Sequence, residues 1–208
     1  MAGRRGSQGE VLYPFPGPRE KLGIATRIRT TLMVSSINSL RKRGSFDEYM
    51  RLLPSEHHMT IASMIAGQWL PMEVGVAHYQ ACNDLGISQP EIVGIGREVG
   101  DRIHGTFLAT MVRMAGQVGV TPWTGLSFVG RLYDRLFQGG GGAQVLKLGP
   151  KDARVEFVGM GVAAVPYYRI AMTGVFEVGL DLFCRKTYVT DLAAEASPSF
   201  AAVHIAWA

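Results

Sequence analysis

Few residues in this sequence have side chains suited to chemistry, and the first of them is His78. It falls in a helix predicted over 72–85, on the same apolar face as Cys82. A single histidine on such a face is either an axial ligand of haem iron or a core side chain held by a hydrogen bond. The second interpretation is favoured, because the sequence offers the imidazole no recognisable set of supporting residues.

The remaining histidines form no recognisable metal site. His57 and His58 are adjacent, so on a helix they point in different directions, and His204 falls on a predicted strand. His104 lies one step off the apolar stripe of a long helix, where it either lines a pocket or sits at the solvated boundary of that stripe. Neither an HExxH motif nor a cysteine–histidine cluster occurs in the sequence, so we expect no metal.

Motifs of nucleotide binding and nucleophilic catalysis are also missing from the sequence. No Lys-Ser/Thr pair follows Gly139–Gly142, so this run is not a phosphate-binding loop. The stretch Gly125–Gly130 misses a nucleophile elbow by one residue and is predicted to be helical. Cys82 and Cys184 lie far apart and are interpreted as free, buried thiols. We therefore predict a protein that is not an enzyme.

The composition favours an apolar pocket or a contact surface. Hydrophobic residues make up 47% of the 208-residue chain and charged residues 18%, against about a quarter in a typical domain. Trp123 and Tyr167 could wall such a pocket, although plain core packing is the other interpretation of large aromatic residues. With His78, Cys82 and His104, these two form the ligand-pocket set that we predict.

Charge and hydropathy exclude two classes of partner. The net charge is +4, and the basic cluster Arg41–Arg43 fits a helix C-terminus better than a nucleic-acid surface, so we expect no nucleic acid. No apolar run approaches the ~20 residues of a membrane span. The first ten residues lack the apolar core of a signal peptide, so we expect a cytoplasmic location.

The strongest pattern is a long amphipathic helix predicted over 88–119. Gly96 and Gly100 lie four residues apart beside its apolar stripe. Glycine inside a helix costs about 1 kcal/mol relative to alanine, so this pair predicts that another backbone packs very close. Further helices are predicted over 24–42, 46–53, 54–66, 123–137 and 166–183, with strands over 144–148, 154–158, 185–190 and 200–207. This order indicates an α+β fold, with helices packed on a small, mainly antiparallel four-stranded sheet.

The order of elements and two glycine-bearing helices carry a resemblance to a known superfamily. The segment IGREVGDRI at 95–103, followed by Phe107-Leu108-Ala109, resembles the long helix of TRAPP vesicle-tethering subunits. The hairpin, the helix around Gly174 and Gly179 and the closing strands follow in the same order. The superfamily also includes the vinyl-reductase-type small-molecule-binding domain and, more distantly, the haem nitric-oxide/oxygen sensors.

The N-terminal third carries a second resemblance. The segments RTTLMVSSINSLRKRGSFDEYMRLLP and QWLPMEVGVAHYQA resemble a family of uncharacterised proteins, of about this chain's length, that is best known from myxobacteria. That family has no assigned activity. We predict a disordered tail over 1–20, an N-terminal helical extension over 21–72 and a ligand-binding domain of the superfamily over 73–208.

The superfamily implies a small apolar ligand between the helices and the sheet. It also implies association through helical faces, with Gly96, Gly100, Gly174 and Gly179 marking a helix or subunit contact. The haem sensors carry a Tyr-x-Ser-x-Arg motif, which Tyr167-Tyr168-Arg169 does not match, so we expect no cofactor and disfavour haem. The predicted function is a non-enzymatic small-molecule-binding or sensory domain, and the alternative is a homodimeric interaction or scaffold module.

Overall fold

The computed structural model describes residues 9–115 and 121–208, with the backbone alone along 104–115. It confirms the predicted α+β fold. Within these residues, none of the helices is both long enough and apolar enough to cross a bilayer. The helices are α1 (Thr30–Lys42), α2 (Phe46–Leu52), α3 (His58–Ser63), α4 (Met72–Asp84), α5 (Gln89–Ala115), α6 (Pro122–Leu126), α7 (Val129–Leu136) and α8 (Pro166–Leu180). The strands are β1 (Glu10–Tyr13), β2 (Arg27–Arg29), β3 (Trp69–Pro71), β4 (Phe137–Gln138), β5 (Gly142–Gly149), β6 (Asp152–Val158), β7 (Thr187–Asp191) and β8 (Phe200–Trp207).

The main sheet has five strands, one more than predicted, in the order β1-β5-β6-β8-β7 with antiparallel neighbours. The additional strand is β1, in which Val11 pairs with Leu146 of β5. The expectation of a disordered tail over 1–20 is therefore wrong for this segment. Backbone hydrogen bonding to an open strand edge needs no hydrophobic periodicity, so the sequence pattern did not reveal it.

Helices cover one face of this sheet. Phe157 of β6 lies on that face, and its ring centroid is 6.1 Å from that of Phe176 on α8. Val155 shares the face and is completely buried. The alternation of side chains along β6 therefore puts its apolar row under α8, as expected for a sheet with one covered face.

Two of the predicted helices differ clearly from those observed. The helix predicted over 24–42 begins only at Thr30, because residues 27–29 form β2 between β3 and β4 in a small antiparallel sheet. The helix predicted over 123–137 is divided into α6 and α7. At the break the Ser127 hydroxyl donates to the Thr124 carbonyl at 2.7 Å, a local bond that competes with helix continuation. The long helix spans α5, and residues 116–119 of its predicted range lie outside the described residues.

The predicted domain boundary at residue 72 stays a prediction. The small sheet joins strands from both sides of that boundary, since β2 and β3 precede it and β4 follows it. Packing of α1 against α5 makes a second connection, in which the Arg102 guanidinium donates to the Ser35 carbonyl at 2.7 Å. Residues 21–72 therefore contact the remainder through backbone hydrogen bonds of β2 and through side-chain bonds of α1.

Helices α5 and α8 cross with their backbones almost in contact. A Cβ atom on Gly96 would overlap the carbonyl oxygen of Ala171. A Cβ atom on Gly174 would lie 2.8 Å from the backbone nitrogen of Arg97. Side chains at either glycine would force the helices apart, so the glycines set the distance between them.

Ion pairs flank this crossing on the surface. Arg97 of α5 contacts Glu177 at 2.7 Å and Asp181 at 3.3 Å. On the side facing α1, Glu98 accepts hydrogen bonds from Arg43 and Ser39, each at 2.7 Å. The Arg97 side chain is 44% exposed, and exposed pairs contribute about 0–1 kcal/mol. Backbone packing, more than these charges, therefore holds the crossing.

We expect Gly96→Ala to lower the free energy of unfolding by about 2–3 kcal/mol, because the added methyl overlaps the Ala171 carbonyl. Gly130→Ala in α7 is the matched control, since a Cβ there meets no atom within 4 Å. The control should gain about 0.5–1 kcal/mol from lower backbone entropy in the unfolded chain. Urea unfolding followed by circular dichroism measures both. Equal stabilities of the two variants would contradict the close contact.

Candidate ligand-binding site

An apolar space beside the helix crossing is bordered by α6, α7, α8 and Ile103 of α5, and we call it the main cavity. Its volume is about 50 Å³. Gly125 and Gly179 both line it, and a Cβ atom on Gly125 would lie 2.9 Å from the Phe183 ring, so this glycine lets the ring pack against the α6 backbone. Its other walls include Leu126, Phe128, Val129, Leu132, Met172 and Phe176. Because its lining is almost entirely apolar, the main cavity suits apolar guests.

Two smaller voids lie beside the main cavity. The tyrosine void, of about 20 Å³, lies where α8 meets α1, α4 and α5, and Ser36, Tyr79 and Tyr167 line it. The sheet void, of about 10 Å³, lies between α7, α8 and β6, against Phe157 and Met160. All three spaces therefore share α8 as one wall.

A buried polar cluster lies behind the tyrosine void. Tyr49 Oη and His78 Nδ1 share a hydrogen bond of 2.8 Å. The Cys82 thiol lies 3.9 Å from His78 Nε2. The Ser36 and Tyr167 hydroxyls are 3.5 Å apart and extend the cluster towards α8. Four elements of the helical layer are thus joined by polar contacts inside the core.

Burial makes this cluster uncharged. Desolvation lowers the pKa of His78 to about 3, so the imidazole is neutral at pH 7. Burial also raises the pKa of the Cys82 thiol and of the Tyr49 phenol well above their ordinary values. A thiol held in its protonated form is a poor nucleophile, so Cys82 acts here as a core side chain.

Three of the predicted pocket residues come together in this region. Tyr167 lines the tyrosine void, and the polar cluster brings Cys82 and His78 behind it. The His78 ring packs edge-on against Tyr79, with centroids 4.7 Å apart, so an aromatic ring separates the imidazole from the void. Their role as ligand contacts stays a prediction.

The other two predicted pocket residues are not brought to this region. The Trp123 indole donates to the Pro150 carbonyl at 3.2 Å, and its ring packs against Trp207 at 4.8 Å. Trp123 therefore packs α6 against the end of the main sheet, at the β5–β6 turn and at β8. The side chain of His104 lies outside the described residues.

The four glycines singled out in the sequence occupy different positions. Gly96 and Gly174 lie in the α5–α8 contact, and a Cβ on Gly100 would come within 3.2 Å of Val175 Cα. Gly179 lines the main cavity instead. A subunit contact at these positions stays a prediction.

The sequence-based prediction named Tyr167 on α8 as a pocket residue but did not identify the α8 residues that line the main cavity. Met172, Val175, Phe176 and Gly179 follow one another at helical spacing and face the main cavity. This spacing was visible in the sequence, but an apolar stripe at steps of three and four is also the pattern of ordinary core packing. The pocket could be distinguished only after α6 and α7 were placed opposite the stripe.

The buried arginines near the sheet are neutralised by carboxylates. Arg169 donates to Asp191 at 3.1 Å and to the Ala163 carbonyl at 2.8 Å. Arg154 contacts Glu156 at 2.7 Å and binds Glu195 through both terminal nitrogens. Among the described side chains, no group of three His, Cys, Asp or Glu residues could hold a metal ion. The main cavity therefore offers a ligand mainly apolar contacts.

Comparison with known proteins finds likeness in structure only. No protein-family model and no curated protein sequence matches the chain. The Fe(II) unliganded form of a mutant H-NOX protein from K. algicida matches with a TM-score of 0.63 and 6% identity, over 87% of this chain and 97% of that one. An oxygen-binding H-NOX domain related to soluble guanylate cyclases matches at 0.56 and 14%, over 86% and 95%. An H-NOX structure from work on haem distortion in that family matches at 0.54 and 15%, over 86% and 95%. These TM-scores, at such low sequence identity, show a shared fold and no more.

The comparison corrects one sequence-based expectation. We expected no cofactor and disfavoured haem, and this is contradicted because the matching structures are H-NOX domains, a family in which haem is bound. The expectation depended on one missing motif for the haem propionates. Such a motif grips the edge of the macrocycle, whereas apolar walls hold its faces, so its absence does not exclude haem.

The neutral state of His78 predicts a pH dependence of stability. Below its ordinary pKa of about 6.5 the unfolded chain gains a proton at His78, whereas the folded protein does not until about pH 3. The free energy of unfolding therefore falls as the pH drops through this window, by up to about 1.4 kcal/mol per pH unit from this group. His78→Gln should show a shallower pH slope in urea unfolding.

The ring nitrogens of His78 test the same prediction directly. Their NMR shifts in the folded protein should stay those of neutral imidazole at about pH 5, and should titrate normally in urea. Titration of the folded ring near pH 6.5 would contradict the assigned burial.

Proposed function

We propose that this chain is a non-enzymatic ligand-binding or sensor domain whose ligand occupies the main cavity. The observation that carries the proposal is an apolar cavity bordered by α5, α6, α7 and α8 in a fold shared with H-NOX domains. The likenesses to TRAPP subunits and to the myxobacterial family, and the cytoplasmic location, remain sequence-based predictions.

Haem is the ligand to test first, because all the H-NOX neighbours named above belong to a haem-binding family. The chemistry of the cavity walls fits the apolar faces of the macrocycle. Met172 offers a thioether, a ligand type that holds haem iron in cytochromes c. Haem exceeds the cavity of about 50 Å³, so α7 would have to move away from α8 to admit it. When bound, haem would supply an iron that takes up a diatomic gas.

The residues of this chain would act on such a ligand by enclosure. Phe128, Phe176 and Phe183 would cover its apolar surface and exclude water. Gly125 and Gly179 would let it approach the helix backbones. The tight α5–α8 contact would keep one wall fixed while the opposite wall, α7, adjusts.

Haem titration of the purified protein tests the proposal. We expect a saturable change in the Soret band, and native mass spectrometry should show one bound haem. Leu132→Trp, which fills the main cavity and the sheet void, should weaken binding by about ten-fold or more. Leu148→Trp adds the same ring at a 39% exposed position and should bind as the unmodified protein does. An unchanged haem spectrum together with an apo mass would refute haem as the ligand.

The alternative function, a homodimeric interaction or scaffold module, has one structural feature in its favour. Strand β7 is an outer strand of the main sheet, and Tyr188 on it is 54% exposed. An open strand edge can pair with a second copy. Light scattering at micromolar concentration tests this alternative: a dimer that Tyr188→Lys dissociates is expected, and a strict monomer would count against it.

A further inference from the structure

The three apolar spaces meet at a single side chain. Met172 of α8 lines the main cavity, the tyrosine void and the sheet void. Among the described residues it is the one that contacts all three. Val175 borders the main cavity and the tyrosine void, and Phe176 borders the main cavity and the sheet void.

The position of Met172 on α8 explains why it occupies the junction. The backbone of its neighbour Ala171 is in contact with Gly96 of α5, so this part of α8 cannot move closer to α5. Tyr168, one turn earlier, separates the tyrosine void from the sheet void. The partly buried Met172 side chain therefore occupies the point at which the three spaces meet.

The chemistry of methionine suits it to such a position. Its side chain is unbranched, has three rotatable bonds and fills irregular gaps in a core. A rotation about these bonds moves the thioether without moving the helix. The side chain can therefore change its position between the three voids at low cost.

We propose that Met172 is the specificity-determining residue of this site, because it divides one apolar compartment into three and so limits the size of the guest. The inference rests on the proposed function in taking the main cavity as the ligand's place. Guests small enough for a cavity of about 50 Å³ enter without displacing it, and larger apolar guests enter only when it moves.

The size limit is testable with benzene, because an apolar cavity of about 150 Å³ holds benzene and stays dry without it. Each described void is well below that volume. Met172→Ala should join them, so benzene should raise the Tm of this variant saturably, by several degrees. The Tm of the unmodified protein should not respond to benzene.

Two control variants isolate the position from the residue type. Met172→Leu keeps the side-chain volume and should not respond to benzene. Met50→Ala removes an equally large, partly buried methionine on α2, which lines none of the described voids, and should not respond either. If Met172→Ala fails to fold, Met172→Val removes less volume and should show a smaller response.

Each outcome decides the inference. A folded Met172→Ala or Met172→Val variant whose Tm is indifferent to benzene would overturn it, and so would an equal response from the unmodified protein or from Met50→Ala. Failure of haem titration together with benzene uptake by Met172→Ala would refute haem as the ligand and leave the role of Met172 intact. Haem uptake without any gain of benzene binding would refute the role of Met172 alone.

Discussion

The structure depends on the contact between the backbones of α5 and α8 at Gly96 and Gly174. Each glycine costs about 1 kcal/mol of helix propensity, yet the missing side chains let two helices approach until main-chain atoms touch. The dispersion energy of many close atom pairs offsets that cost. Because the contact fixes α8 against α5, the opposite face of α8 is held above the sheet, where Phe176 meets Phe157.

The apolar spaces follow from the same constraint. A helix that is held on one side cannot relax to fill gaps on the other. The segment that covers it is divided at Ser127 into two short helices, α6 and α7, which meet α8 with the cavity between them. The polar cluster around His78 is separated from that space by aromatic rings, so the core combines a hydrogen-bonded region with an apolar one. The two regions differ in chemistry: burial disfavours a charge in the first, and the lining of the second is apolar.

The periodic elements could be predicted from the sequence, and the features that arise from assembly could not. The spacing of Gly96 and Gly100 along one helix face indicates close packing by itself, and the hairpin and closing strands are recognisable by the alternation of apolar and polar residues.

Strand β1 could not be predicted from the sequence, because an edge strand is held by backbone hydrogen bonds, which leave no pattern in the residue types. Trp123 was predicted to wall a pocket because it is large and apolar, but it fastens α6 to the sheet. The importance of Met172 depends on three elements meeting around it, which no spacing along the chain reveals. Haem was disfavoured on a motif, whereas the likeness to H-NOX domains lies in the arrangement of the backbone.

Strand β1 has a consequence for how the chain folds. Its partner β5 lies more than a hundred residues further along the sequence, so the two can pair only after most of the chain has been made. Closing so long a loop costs entropy that local contacts cannot offset, and contacts of this kind form late and slowly. Before β1 pairs with it, the edge of β5 has unpaired backbone groups that can bind a strand of another chain. Pairing of β1 with β5 therefore closes a contact of long sequence separation, and once it has formed the edge of β5 is covered.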